Sequence, residues 1–234
     1  MASLIETVAS DLIQQIKNDS LILPSLPEVC LKVRDVAEDI ESSIPQLANI
    51  INQDAGLTAR IIKVANSPLV RTPSEVTDLI TAVGRLGINF TSNLAMGLAM
   101  EQMFQATSDV VDKHMRSIWA QSSEIASICH VLAMHYTKLQ PDQAMLGGLV
   151  HKIGALPVLT YAEENNALLN DAAALNKLIE KLHPVIGTHI LKSWKFPSAL
   201  LNIPSQYLKF DRDIEKVDYA DIVQVAVLQS HADT

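Results

Sequence analysis

Apolar residues recur three and four positions apart along almost the whole of this chain, and nowhere do they alternate over a run bounded by turn signals. Leu4, Ile5, Val8, Leu12, Ile13 and Ile16 form one such stripe, and Val29, Val33, Val36, Ala37 and Ile40 a second. Shorter ones follow at Leu47, Ile50 and Ile51, at Leu57, Ile61, Ile62, Val64 and Ala65, and at Leu79, Ile80, Val83 and Leu86. The longest runs from Ile118 through Trp119, Ser122, Ile125, Ala126, Cys129, Leu132 and Ala133 to Tyr136. A stripe of this period buries itself only as one face of a helix, so the spacing predicts an all-α fold.

Helix ends are marked as well. Ser25-Leu26-Pro27-Glu28 and Ser43-Ile44-Pro45-Gln46 have the spacing of capping boxes, in which the serine oxygen accepts from an orphan amide and the Glu or Gln reaches back. Asp54 is placed to cap the next helix, Gly87 to end one in a left-handed conformation, and Pro141 to sit in a first turn. A helix over 142–153 is expected to close at Gly154, and the last to span 218–229. The polar stretch Gln105 to Lys113 predicts a boundary between two helical halves, 1–105 and 106–234, of one domain over 1–234. Only Phe90 and Phe104 of the 10 aromatic residues precede it, so the first half must pack with Ile, Val, Leu and Ala.

Composition narrows the classes of function. The 234 residues are 48% hydrophobic, yet no uninterrupted apolar run approaches the roughly 20 residues of a membrane span. Lys and Arg number 18 against 26 Asp and Glu, a net charge of −8, and each half is acidic on balance. Neither half offers the positive field of a nucleic-acid binder. Cys30 and Cys129 stand far apart among apolar neighbours and read as buried free thiols. Glu6 and Asp11 near the start, with no basic segment, argue against a secretory leader, and a cytoplasmic protein is expected.

No phosphate-binding glycine loop, H-E-x-x-H or G-x-S-x-G is present. His130 and His135 are five apart and His183 and His189 six, so neither pair shares a helical face as a local metal chelate would. Gly147-Gly148-Leu149-Val150-His151-Lys152-Ile153-Gly154 is more specific. It is similar to the central motif of the HD superfamily of helical metal-dependent phosphohydrolases, in which a His-Asp pair on a helix joins further His and Asp residues around one or two metal ions. Upstream, Asp54-Ala55-Gly56-Leu57-Thr58-Ala59-Arg60 with Val64-Ala65-Asn66-Ser67-Pro68 resembles the D-P-x-L-T-x-R and A-N-S signature of the HDOD family. Ala82-Val83-Gly84-Arg85-Leu86-Gly87 and the opening Leu23-Pro24-Ser25-Leu26-Pro27 fit the same pattern. The resemblance runs from about residue 21 to the C-terminus.

What the resemblance implies can be read position by position. Where catalytic relatives carry a first metal histidine, Trp119-Ala120-Gln121-Ser122 offers Gln121. His151 is kept, but its Asp partner is Lys152. His183 matches a histidine that those relatives often retain. The tandem histidines expected after Trp194-Lys195-Phe196-Pro197 fall at Ser205-Gln206-Tyr207, which has none, and the closing Asp position is Val227. The resemblance therefore implies a degenerate site with no metal and no cofactor, and a non-catalytic bacterial signalling protein that works by binding other signalling or regulatory proteins. A divergent metal-dependent phosphohydrolase using His151 and His183 is the alternative. A nucleotide sensor that uses Lys152 as a phosphate contact is a further one.

Outside that motif, Arg60, Lys63, Asn66, Ser67, Arg71 and Arg85 cluster along the first half as a candidate interaction surface. Asn66 reads more readily as a helix C-cap in the left-handed conformation, since Pro68 cannot prolong the helix. His151 reads more readily as a helix histidine bonding across the core than as a ligand. Trp119 and Trp194, on apolar faces, are expected to anchor the core.

Overall fold

The computed structural model describes residues 2–18, 20–68, 70, 74–169 and 171–232, and among them every regular element is a helix, as the apolar period predicts. The chain forms two compact units, Leu26–Gln102 and a second assembled from Met1–Ser25 and Met103–Thr234. The expected boundary after 105 thus lies at Met103, and the first 25 residues do not join the half that follows them. The reason is burial. In α1 (Ala2–Lys17) Val8, Leu12 and Ile16 are buried, the helix packs on a helix of the later unit, and the Trp194 indole N–H donates to the Pro24 carbonyl oxygen at 2.9 Å. The polar stretch is consumed in part by the next helix, whose first turn holds Asp109 and Asp112 where the helix dipole favours acid.

The unit Leu26–Gln102 contains α2 (Glu28–Glu38), α3 (Ile44–Ile51), α4 (Ala55–Ala65), α5 (Leu79–Leu86) and α6 (Ile88–Met100). Its core is aliphatic, built on Val33, Leu47, Ile51, Ile61, Val83 and Met100 with Cys30. The two serine signals part company. Gln46 reaches back to the Ser43 N–H at 2.7 Å, closing that box. At Ser25 no box forms, because the chain is drawn out across the boundary between units and α2 starts only at Glu28, after Pro27. Asp54 caps α4 by accepting from the Leu57 N–H at 3.0 Å. Gly87 has φ 85°, ends α5 and starts α6 in one step, and so serves as a glycine-only corner. Ile40, expected on the buried face of α2, lies beyond its end and is exposed.

The other unit adds α7 (Asp109–Tyr136), α8 (Pro141–Val150), α9 (Ala155–Glu163), α10 (Asn166–Leu169), α11 (Ala172–Ser193), α12 (Ile203–Gln206) and α13 (Tyr219–Ala232). Pro141 occupies the first turn of α8 as expected. Trp119 and Trp194 are both buried, Trp119 against Phe104 with ring centroids 5.1 Å apart. Pro141–Glu163 is apolar enough to cross a membrane by composition, but 83% of that window is buried inside the unit and a turn divides it. It is a core segment of this fold.

Three glycines set how closely these helices approach. A Cβ on Gly148 would lie 2.6 Å from Ala126 Cα, one on Gly154 would lie 2.1 Å from the His183 carbonyl oxygen, and one on Gly187 would lie 2.9 Å from Pro204 Cβ. The backbones of α7 and α8 therefore touch with nothing between them. Gly148→Ala is expected to lower stability by about 3 kcal/mol through forced separation of those helices. Gly84→Ala, whose Cβ would meet only Ile44 Cδ1 at 3.9 Å, should be neutral or stabilising by up to about 1 kcal/mol. Urea midpoints of the two variants test the contrast, and equal losses would refute it.

Candidate functional site

α8 stops at Val150, and His151 to Gly154 form a tight turn in which the Ile153 N–H donates to the Val150 oxygen at 3.0 Å and the Ala155 N–H to the Lys152 oxygen at 2.9 Å. The helix expected to run to 153 thus ends three residues early. The turn fits against α11 only because position 154 carries no side chain. It delivers the His151 imidazole into the core with no exposure at all, and α11 brings His183 to the same place, 1% exposed.

A third ring lies against both. Tyr207, just after α12, meets His151 edge-on with centroids 5.0 Å apart and an interplanar angle of 88°, and lies 5.8 Å from His183. Its hydroxyl pairs with His183 Nε2 at 3.2 Å. His151 Nδ1 is 2.6 Å from the Gly148 carbonyl oxygen. A carbonyl can only accept, so Nδ1 carries a hydrogen, and in the neutral ring Nε2 is then the acceptor. His151 Nε2 and His183 Nδ1 are buried and have no hydrogen-bond partner among the described residues. Instead of bonding across the core, as expected, His151 bonds back to Gly148 in the last turn of α8.

Beside the rings stands a cation. Lys152 is half-buried, and its ammonium donates to Gln121 Oε1 on α7 at 2.7 Å. Burial pushes the ammonium below the ordinary lysine range, against the opposing charge of Glu180 one turn ahead of His183. Burial pushes His151 down to about 3, helped by the charges of Lys152 and His183 and opposed by the Gly148 bond. His183 falls to about 3 for the same first reason, with Lys152 again contributing. The Tyr207 phenol is pushed up by burial and by Glu180. Both imidazoles are therefore neutral at physiological pH.

Of the positions singled out in the sequence, Gln121, His151, Lys152 and His183 come together. Val227 takes no part in their hydrogen bonds: it is half-buried on α13, where its carbonyl accepts from Ser230 Oγ at 2.9 Å. Tyr207 and Glu180 were not anticipated as members. Tyr207 was nevertheless within sight, since it lies in the segment where tandem histidines were sought and not found. Among the described residues no three of His, Cys, Asp or Glu converge as a metal-holding group. Two neutral imidazole nitrogens beside an ammonium are a poor match for a divalent ion, which asks for several anionic or imidazole ligands and no fixed cation.

The proposed interaction residues belong to the unit Leu26–Gln102, and the structure employs several of them internally. The Asn66 amide donates to the Val76 oxygen at 2.8 Å and accepts from the Val76 N–H at 2.9 Å. Its φ of −98° is not left-handed, so it ends α4 without the conformation expected of it. Arg85 donates to the Ala65 and Ser74 oxygens at 3.1 and 2.9 Å, and Arg60 pairs with Glu101. Lys63 is exposed, and Ser67 is half-buried with its N–H on the Val64 oxygen. Arg71 lies outside the described residues.

The model of the HDOD domain family matches residues 23–207. The chain belongs to the HDOD family. A solved structure from Shewanella amazonensis SB2B, named as a candidate metal-dependent phosphohydrolase, is 34% identical, with a TM-score of 0.88 over 98% of this chain and 84% of that one. An HDOD domain protein of unknown function from Geobacter sulfurreducens is 20% identical, with a TM-score of 0.70 over 98% of this chain and 78% of that one, and shares the fold. An uncharacterized protein of Treponema pallidum (strain Nichols) is 22% identical over 77% of this chain, which spans 36% of that relative's length.

The buried imidazoles of this HDOD chain generate a pH dependence. Each binds a proton near 6.5 when unfolded but only near 3 when folded, so between these values the unfolded chain holds more protons. Their contribution to stability is complete above pH 6.5 and is lost as pH falls toward 3. Urea-derived stability should drop by up to about 2.7 kcal/mol per pH unit between pH 6 and 5, the slope for two protons. His183→Gln should roughly halve that slope, and an unchanged slope would show that the ring titrates normally.

Proposed function

We propose that this HDOD protein is a non-catalytic signal-transduction component of the bacterial cytoplasm that acts by binding other signalling or regulatory proteins. One observation carries the reading. Where the resemblance to hydrolases calls for a carboxylate next to His151, the chain has the Lys152 ammonium, and that ammonium is bonded to Gln121, which stands where a metal histidine is called for. An ammonium in that position repels a dication. The loss of anionic ligands adds to that cost. The acidic balance of the whole chain gives a nucleic-acid partner no support.

The surface proposed for partners is the end of α4, where Lys63 is exposed and Arg60 is shared with Glu101. Asn66 and Arg85 hold the segment after α4 in place. One observation favours a divergent phosphohydrolase instead, namely the name given to the relative at 34% identity. The two readings differ in metal content and turnover. Protein produced in medium supplemented with iron, manganese and zinc is expected to carry far less than one equivalent of metal. It is also expected to leave cyclic dinucleotides, nucleotides and generic phosphodiesters intact. Near-stoichiometric metal together with turnover that His151→Ala abolishes would overturn the proposal.

A further inference from the structure

Single exposed apolar side chains are ordinary on a folded surface, but around α13 they gather. α13 packs along α7 and leaves Val225 and Leu228, one turn apart on its outer side, about half-exposed. Beside them Leu132 and Tyr136 of α7, together with Val217, Ile222 and Val225, line a groove of about 370 Å³. Tyr136 is 79% exposed even so. The segment that leads into α13 adds Leu208, Phe210 and Ile214, of which Phe210 is 64% exposed.

This segment is displayed and also held. From 208 to 217 every residue is exposed except Arg212, which turns inward and donates to the carboxylates of Asp218 and, at 3.0 Å, Asp221. Asp218 accepts in turn from the Asp221 N–H at 3.1 Å and Asp221 from the Asp218 N–H at 2.8 Å, which fixes the start of α13. Gln224 donates to the Lys209 carbonyl oxygen at 3.1 Å. Asp221 and Gln224 stand one turn before Val225 and Leu228, so these bonds lay the segment beside that apolar row. A face ordered in advance gives up little freedom on association.

Its size and its charge both point to the same partner. The exposed apolar side chains of α7, α13 and the segment present on the order of 700 Å² together, more than a solitary surface usually gathers in one patch and close to the ~800 Å² that each partner buries in a standard interface. The exposed charges around them balance. Lys138, Lys209 and Lys216 stand against Asp211, Asp213 and Glu215, on a chain whose net charge is −8. A face of one sign would repel a copy of itself, whereas equal numbers of both signs let each base of one copy meet an acid of the other across a two-fold axis. No opposite field in a different partner is called for.

We propose that the outer side of α7 and α13, with the segment 208–217, is the contact by which two copies of this chain form a symmetric dimer. The pairing is independent of whether the protein turns over a substrate.

Sedimentation equilibrium of the full chain, from about 1 to about 300 µM, reads the association directly. The average mass should climb from one chain to two and no further. Val225→Lys, which places an ammonium in the groove, should raise the dissociation constant about tenfold or more, and Phe210→Ser about fivefold or more. Both positions are exposed, so the urea midpoint of the dilute protein should not move in either variant. Ile40→Lys, at an exposed apolar position in the unit Leu26–Gln102, should leave the dimer as it was. A chain that stays monomeric across the range, a mass that grows past two, or a dimer that neither Val225→Lys nor Phe210→Ser weakens would overturn the proposal. Equal weakening by Ile40→Lys would overturn it as well.

Discussion

The helices of the unit that carries the site touch backbone to backbone, and this contact governs what the site can be. Gly148 lies on Ala126 and Gly154 on the His183 carbonyl with no room for a methyl group. His151 follows the first of these glycines and precedes the second, and its ring is fully enclosed. His183 is held on the other side by the same contact. Enclosure at that density removes water from both rings, and removal of water keeps them uncharged. The protonation state of the pair is thus a consequence of glycine placement several residues away.

Charge runs against the overall composition here. The chain carries a net −8, yet its most enclosed polar cluster contains an ammonium and no buried carboxylate. Glu180 balances Lys152 from an exposed position. The two cysteines contribute nothing to the chemistry, since burial pushes both thiols up to about 12.

Much of this was legible in the sequence, for physical reasons that can be named. The helical fold followed from apolar spacing, and Asp54, Gly87 and the Ser43 box were local signals whose meaning does not depend on distant residues. Gln121, His151, Lys152 and His183 were picked out through resemblance to a family, and they do converge. Ser25 failed as a cap because its surroundings are decided by where the chain crosses between units, which no local pattern encodes. The placement of α1 was missed for the same reason, since an apolar stripe says that a helix is buried but not against what. Tyr207 escaped because the search in its segment was for a different residue type. Asn66 was read as a backbone device, and its partner ten residues further along could not be seen from its immediate neighbours.

That asparagine has a consequence of its own. Its side-chain amide meets the N–H and the C=O of Val76 together, as one peptide group meets another across a pair of antiparallel strands. In a molecule whose described residues form no sheet, a side chain imitates a single rung of one. The imitation has a polarity. An aspartate of identical shape would aim oxygen at oxygen, so asparagine is the residue that can close this rung without repulsion.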